Sequence, residues 1–292
     1  MCQGRFCAEF RLPFFGIVKP NGRTLDLDKS FSVKQHSSIW KKIAKIIILC
    51  ILLATFVGQW VENEYPLFYM AYLTRWTLLY QIIYAMFSFF TTIYPMQWMI
   101  KATWVLFSLA AVHGVIIVLL FWLTEYGPDF PLTVYDIFTH GITFLCVVFD
   151  GFVVNRTPVD LKHFAVNSGF ALLYITWSLI QGLVPIDNPW KEPDVSQSLY
   201  KVLDWDAEPV MSAIVGVMVV FVAVPVFHII FWAISLPLQV YLDVYEAQET
   251  AGKVDLDDEE DQVKEAPLTK ADSTYNKENK DAEESSVSSC EV

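Results

Sequence analysis

Hydrophobic and polar positions alternate along this chain on the scale of a bilayer rather than of a strand or a surface helix. A window of roughly 20 residues, the helical length that crosses the hydrocarbon core, picks out six apolar stretches. They lie at about 43–61, 68–91, 102–124, 134–154, 164–184 and 211–240. The first, IAKIIILCILLATFVGQW, is the plainest, with Lys41, Lys42 and Lys45 at its start. The last is longer than a bilayer requires and contains Pro225 and Pro237. Proline removes a backbone donor and crowds the preceding turn, so a kink is predicted near the first and an end near the second. The predicted fold class is all-α, a polytopic transmembrane bundle of six spans over 43–242. A cytoplasmic segment, 1–42, precedes it and a disordered acidic tail, 243–292, follows.

Composition strengthens this picture. The 292 residues are 54% hydrophobic, 15% aromatic and 18% charged, with a mean hydropathy of +0.41, more apolar than a water-soluble globule. The net charge of -12 misleads about the body of the protein. From Asp243 onward there are 16 Asp and Glu against 5 Lys, which leaves 16 acidic and 15 basic residues before it. The acidic tail carries too few apolar residues to bury a core, so disorder is predicted there. Cys2, Cys7, Cys50, Cys146 and Cys290 do not form a disulfide framework. The opening residues, MCQGRFCAEFRLPF, lack the apolar core of a cleaved leader, which leaves insertion to the first span. There is no Gly-rich phosphate loop and no nucleic-acid-binding signature. No cofactor and no metal site are expected.

Positive charge sets the orientation, because Lys and Arg are retained on the cytoplasmic face during insertion. With both termini inside, 9 basic residues up to Lys45, Lys101, Arg156, Lys162 and 5 in the tail fall on that side. Only Lys191 and Lys201 fall outside, and Arg75 lies within a span. The other loops, such as VENEYP and EYGPDF, are rich in acid, proline and aromatics. Asn155-Arg156-Thr157 matches a glycosylation pattern, but it lies on the predicted inner side and Pro158 follows it. Trp60, Trp98, Trp190 and Trp205 are expected at the membrane interfaces.

Polar residues inside a span are costly and therefore expected to face the bundle interior. By helical rise, Thr74 and Arg75 of the second span lie at the depth of His140 in the fourth. Asp136, four residues earlier, shares the face of His140, which makes it the expected counter-charge for Arg75. Asp150 lies too deep for this layer and is expected to meet Lys162 or Arg156. His113 and His228 read as structural hydrogen-bonding residues.

Several stretches carry a resemblance. CAEFRLPFFGI and HSSIW lie ahead of the first span, and YLTRWTLLYQIIY lies in the second. THGITFLCVVFDGFVVNRTPVDLKHF crosses the fourth span and its following loop, ALLYITWSLI lies in the fifth, and LYKVLDWD precedes the sixth. In this order the chain resembles the rolling stone family of membrane proteins over most of its first 242 residues, the tail excepted. The resemblance implies a plasma-membrane protein of the kind required for fusion of muscle precursor cells. Its expected partners are membrane lipids and a protein at the cell contact. Rolling stone proteins are in turn similar to the androgen-induced proteins and the androgen-dependent TFPI-regulating protein. Those are intramembrane hydrolases of branched fatty-acid esters with a Thr nucleophile and a His. The match implies Thr74, in Leu73-Thr74, as nucleophile. The run His140-Gly141-Ile142-Thr143 departs from the hydrolases' two-histidine pattern, with Thr143 at the catalytic position. Threonine cannot take the proton from Thr74 as an imidazole can. The expected function is therefore a non-enzymatic contact or fusion factor. The alternative is a lipid-ester hydrolase with Thr74 and His140 as the pair and Arg75 orienting a carboxylate headgroup.

Overall fold

A computed structural model describes residues 39–62, 64–127, 131–184, 188–189 and 197–236. The amino-terminal segment, Trp190, Pro237 and the acidic tail with its predicted disorder lie outside the described residues. Among the described residues six helices are long and apolar enough to cross a membrane: α1 (Ile39–Glu62), α2 (Leu73–Ile93), α3 (Gln97–Glu125), α4 (Val134–Val154), α5 (Leu161–Leu183) and α6 (Pro209–Leu236). No strand occurs among the described residues. The protein is an all-α integral membrane protein. Because consecutive helices run in opposite directions, α1 begins and α6 ends at one end of the bundle, here the terminal end. The connections 62–73, 125–134 and 184–209 form the other, the loop end.

The second element starts later than hydropathy predicts. Pro66–Tyr69 form a separate helical turn. Met70 caps it, and the carbonyl of Ala71 just beyond accepts from Tyr174 Oη at 3.2 Å and Trp177 Nε1 at 3.1 Å. Two donors from α5 thus occupy the peptide group just ahead of α2.

Helix α3 sits at the centre, packed against α2, α4 and α5. About two thirds (67%) of its apolar window is buried, against 28% for α1, α5 and α6. A helix that is apolar all round has no face to offer water and belongs inside. Ser108, Ala110, Ala111 and Gly114 keep it slim, as close helix packing in lipid requires. A methyl group at Gly114 would lie 2.8 Å from the Phe144 ring. Gly151 of α4 receives the Phe107 ring of α3 where any side chain would stand.

Helix α2 carries a polar stripe inward. Thr74, Thr77, Gln81, Ser88 and Thr91 are buried at three-, four- and seven-residue spacings, one side of a helix. Apolar residues such as Leu145, Val153, Leu172, Leu173, Ile214 and Phe221 of α4 to α6 face outward instead. This inverted pattern suits a bundle whose surroundings are as apolar as its core.

Helices α3, α4 and α6 are not regular throughout. Wide π-turns interrupt them at Phe121–Glu125, Phe138–Ile142, Phe149–Val154 and Val219–Ala223. The last lies just ahead of Pro225, whose ring would otherwise press on the carbonyl of Phe221, four residues back. The predicted irregularity is therefore present.

Candidate functional site

Three of the four π-turns border one cavity near the loop end. Phe121, Thr124 and Glu125 come from the turn in α3, His140 from that in α4 and Val219 from that in α6. Leu73 and Thr74 of α2, Ile117 of α3, Tyr174 of α5 and Tyr200 of the α5–α6 connection complete much of the wall. The cavity volume is about 50 Å3, and its lining is almost wholly apolar. A π-turn spreads a helix and re-aims its side chains, which is why such turns recur at functional positions.

Sequence reasoning placed Thr74 and His140 at one depth, and the structure brings both onto this cavity. The Thr74 hydroxyl lies 3.5 Å from the Tyr200 hydroxyl. Burial pushes the Tyr200 phenol up from its ordinary range, with the contact to Thr74 pulling the other way. The phenol therefore stays protonated at neutral pH and can donate. His140 leaves helical geometry (φ -102°, ψ 21°), and its ring lies flat against Phe121 with centroids 3.8 Å apart. Its carbonyl accepts from Trp122 Nε1 at 3.0 Å. Its Nδ1 has no hydrogen-bond partner among the described residues. Thr74 and His140 share a cavity but no hydrogen bond.

The expected layer is incomplete in three respects. Arg75 does not pair with Asp136. Its guanidinium donates to Gln59 Oε1 and lies 4.3 Å from the Tyr69 ring centroid. Gln59 in turn donates to Thr139 Oγ1 at 2.6 Å. Asp136 is committed to the start of α4, accepting at Oδ2 from Thr133 N and Oγ1 at 2.9 and 2.7 Å, while its N–H donates to Thr133 Oγ1. This capping box satisfies backbone donors that a helix start leaves open. The pattern Thr133-x-x-Asp136 was legible in the sequence as that signal. Finally, Thr143 donates to Thr139 O at 3.1 Å and does not border the cavity. The residue that does so from this helix is His140.

A second polar layer lies nearer the terminal end, and sequence reasoning misassigned it. Asp150 meets neither Lys162 nor Arg156. Its Oδ2 accepts from Ser88 Oγ at 2.6 Å and Asn155 Nδ2 at 3.0 Å. Lys45 donates to Ser88 O at 2.7 Å and Thr92 Oγ1 at 2.8 Å. Ser88 therefore links the two buried charges, one through its hydroxyl and the other through its carbonyl. Sequence depth put Asp150 low in α4, but only the packing of α2 between α1 and α4 supplies these partners. The nitrogen of Asn155 is also 2.9 Å from Ser88 Oγ, so the glycosylation pattern is buried and engaged.

The 155–160 connection is pinned to the bundle. Trp104 Nε1 donates to Pro158 O, Val159 N to Ser235 Oγ at 3.1 Å, and His228 Nε2 to Asp160 O at 3.0 Å. Asn167 Nδ2 donates to His228 Nδ1 at 3.0 Å, which fixes the proton on Nε2 and makes this histidine structural. Asp160 lies outside the spans. Burial pushes its carboxyl up to about 6, against the pull of the Lys162 N–H and ammonium. Trp60 and Trp98 are exposed at the bundle surface as an interfacial anchor requires. Trp205 instead is buried, with Nε1 3.1 Å from Ser178 Oγ.

No group of three His, Cys, Asp or Glu side chains that could hold a metal occurs among the described residues. The chain is thus defined as an integral membrane protein of six helices with a cavity set within the bundle. No family model, no curated protein and no solved structure matches it.

Proposed function

We propose that this protein binds the acyl chain of a membrane lipid in the cavity between α2, α3, α4, α5 and α6, as a rolling stone-type plasma-membrane protein acting at cell contacts. The observation that carries the reading is a small cavity with mostly apolar walls whose lining includes hydroxyl and imidazole groups. Small-molecule sites pair a large apolar lining with a few placed polar groups in this way. The distribution of Lys and Arg supports cytoplasmic termini, which puts the cavity near the outer face.

A fatty-acyl probe carrying a photoreactive group, added to the purified protein in nanodiscs, tests the reading. Crosslinks should map to Ile117, Val215 and Val219, and Val219→Trp should suppress them. Labelling spread over the outward faces of α1 and α6, unaffected by Val219→Trp, would refute it. The cell-contact role fails if depletion leaves cell fusion unchanged. Detection of the tail on intact, unpermeabilised cells would overturn the orientation.

A second reading, an ester hydrolase, is favoured by Thr74 and His140 bordering the same void. A base needs to come within about 2.6–3.2 Å of the hydroxyl, directly or through one water. Such contacts tighten when substrate enters. Cleavage of a fatty-acid ester by the purified protein, lost in both Thr74→Ala and His140→Ala, would establish this reading. Turnover at the wild-type rate in both variants would dismiss it.

A further inference from the structure

The corner of the bundle where α1 begins and α4 ends holds two cations near each other. Arg156 follows α4 between Asn155, whose N–H donates to Asp150 O at 2.8 Å, and Thr157, whose N–H donates to Gly151 O at 2.7 Å. These bonds close the helix with Arg156 in the left-handed region (φ 54°), the one non-glycine residue with positive φ among the described residues. Such a closing position usually holds glycine, because a Cβ there crowds the following carbonyl oxygen. Both neighbours are buried, and the Asn155 amide is held by Ser88 and Asp150. The backbone is therefore fixed while the Arg156 side chain is exposed. Across the corner, half-buried Lys41 in the first turn of α1 lies close enough to feel the Arg156 charge. Lys45, one turn deeper on the same face, is turned into the buried layer of Ser88.

Retention of positive charge during insertion accounts for cations in this part of the chain. It acts on the segment as it enters the membrane, and it asks neither for a crowded backbone position nor for two like charges brought together. Both features work against folding by themselves, and an anion seated between the cations turns their proximity into an advantage.

We infer that this corner binds the phosphate of an anionic phospholipid, with Lys41 and Arg156 as its donors. The site lies at the end of the spans, at headgroup level, where a lipid phosphate meets basic side chains. Beside Lys41, Trp40 is 74% exposed, as an interfacial anchor requires. Ile39, Ile43, Ile46 and Ile47 face outward on one side of α1 and give the acyl chains a track. The inference is separate from the cavity at the loop end and does not depend on the reading given to it.

The test uses the full-length protein in phosphatidylcholine nanodiscs with a trace of phosphatidylglycerol that carries a photoreactive group near its headgroup. Labelling should map to residues 39–43 and to Arg156. Unlabelled phosphatidylglycerol should suppress it at least about fivefold more effectively than phosphatidylethanolamine of the same chains, the effect of about 1 kcal/mol expected from one cation near an anionic surface. Lys41→Gln and Arg156→Gly should each cut this preference by about half or more. Lys101→Gln, which removes the same charge near the start of α3, should leave it unchanged. In Arg156→Gly the thermal midpoint should hold or rise, because glycine relieves the left-handed position, so the lost preference is not a loss of fold. Equal suppression by the two lipids in wild type would overturn the inference, as would an equal loss in Lys101→Gln. Displacement of the probe by inorganic phosphate as readily as by phosphatidylglycerol would make this a site for a free anion and overturn the lipid assignment. Carbodiimide coupling of Lys41 to a carboxylate of residues 243–292, undiminished by phosphatidylglycerol, would give the corner to the acidic tail and overturn it equally.

Discussion

The hydroxyl of Thr74, in the first turn of α2, lies 3.5 Å from that of Tyr200, 126 residues later in the connection between α5 and α6. This contact closes one side of the cavity. It also puts a phenol that burial keeps protonated beside the residue that the hydrolase reading makes a nucleophile. Tyr200→Phe removes one donor and preserves the ring, including its edge contact with Tyr72 at 5.6 Å. It should weaken binding of an ester-headed lipid by roughly 2- to 10-fold, the range of one neutral hydrogen bond, with little change in thermal midpoint. Competition titration of a fatty-acid ester against the photoreactive fatty-acyl probe measures it.

Asp150 is the acceptor on which Ser88 and Asn155 converge. Asp150→Ala strands two buried donors and removes the negative charge nearest Lys45 in this layer. The expected cost is about 3 kcal/mol, since breaking one side of a buried charge arrangement leaves the other uncompensated. Asp150→Asn keeps the shape and one acceptor and should cost less. Unfolding of the detergent-solubilised protein, followed by helical circular dichroism, ranks the two. Equal stability of Asp150→Ala and wild type would show that the layer contributes nothing.

Gly151 admits the Phe107 ring with no room for a methyl group. Gly151→Ala should therefore destabilise the α3–α4 contact by about 1–3 kcal/mol. Phe107→Leu should rescue part of that loss in the double variant, giving a coupling energy that neither single change predicts.

Asp160 makes stability pH-dependent. Its folded-state pKa is raised to about 6 from an ordinary 3.8, so folding favours the protonated carboxyl. The stabilisation from this group is fully present below about pH 4 and is lost as pH rises through about 6. Asp160→Asn mimics the neutral form and should flatten the thermal midpoint over this interval. A midpoint that rises from pH 4 to 6 in wild type and falls back to flat in the variant would have the wrong sign.

Asp136 gives a test of the corrected pairing. Asp136→Ala should cost about 1 kcal/mol, the worth of a helix cap, and should leave the Arg75–Gln59 hydrogen bond in place. Gln59→Leu should be the more damaging of the two, because it removes the partner of both Arg75 and Thr139.

What could be read without coordinates follows from physics that is local along the chain. Hydropathy over a bilayer-length window located all six spans, because an apolar helix announces itself by length alone. The irregular turn ahead of Pro225 was legible for the same reason, since a proline acts on its own preceding turn. Depth along the helix placed Thr74 and His140 together, because a fixed rise per residue converts sequence position into height. Height is not azimuth. Four π-turns rotate the helices that they interrupt, and the sequence carries no periodic mark of them except near Pro225.

Partner choice was decided by the fold. Arg75 and Asp136 looked complementary at one depth, yet Gln59, in the last turn of α1, took the first, and a cap took the second. Asp150 likewise found Ser88 and Asn155 through the packing of α2 rather than the cations close to it in sequence. The sequence by itself determined how many helices cross the bilayer and at what level each polar group sits, for those depend on hydrophobic length and helical rise. Only the tertiary structure decided which groups meet and where a cavity opens. Both depend on helix rotation and on contacts between residues as far apart as Thr74 and Tyr200, which no local pattern encodes.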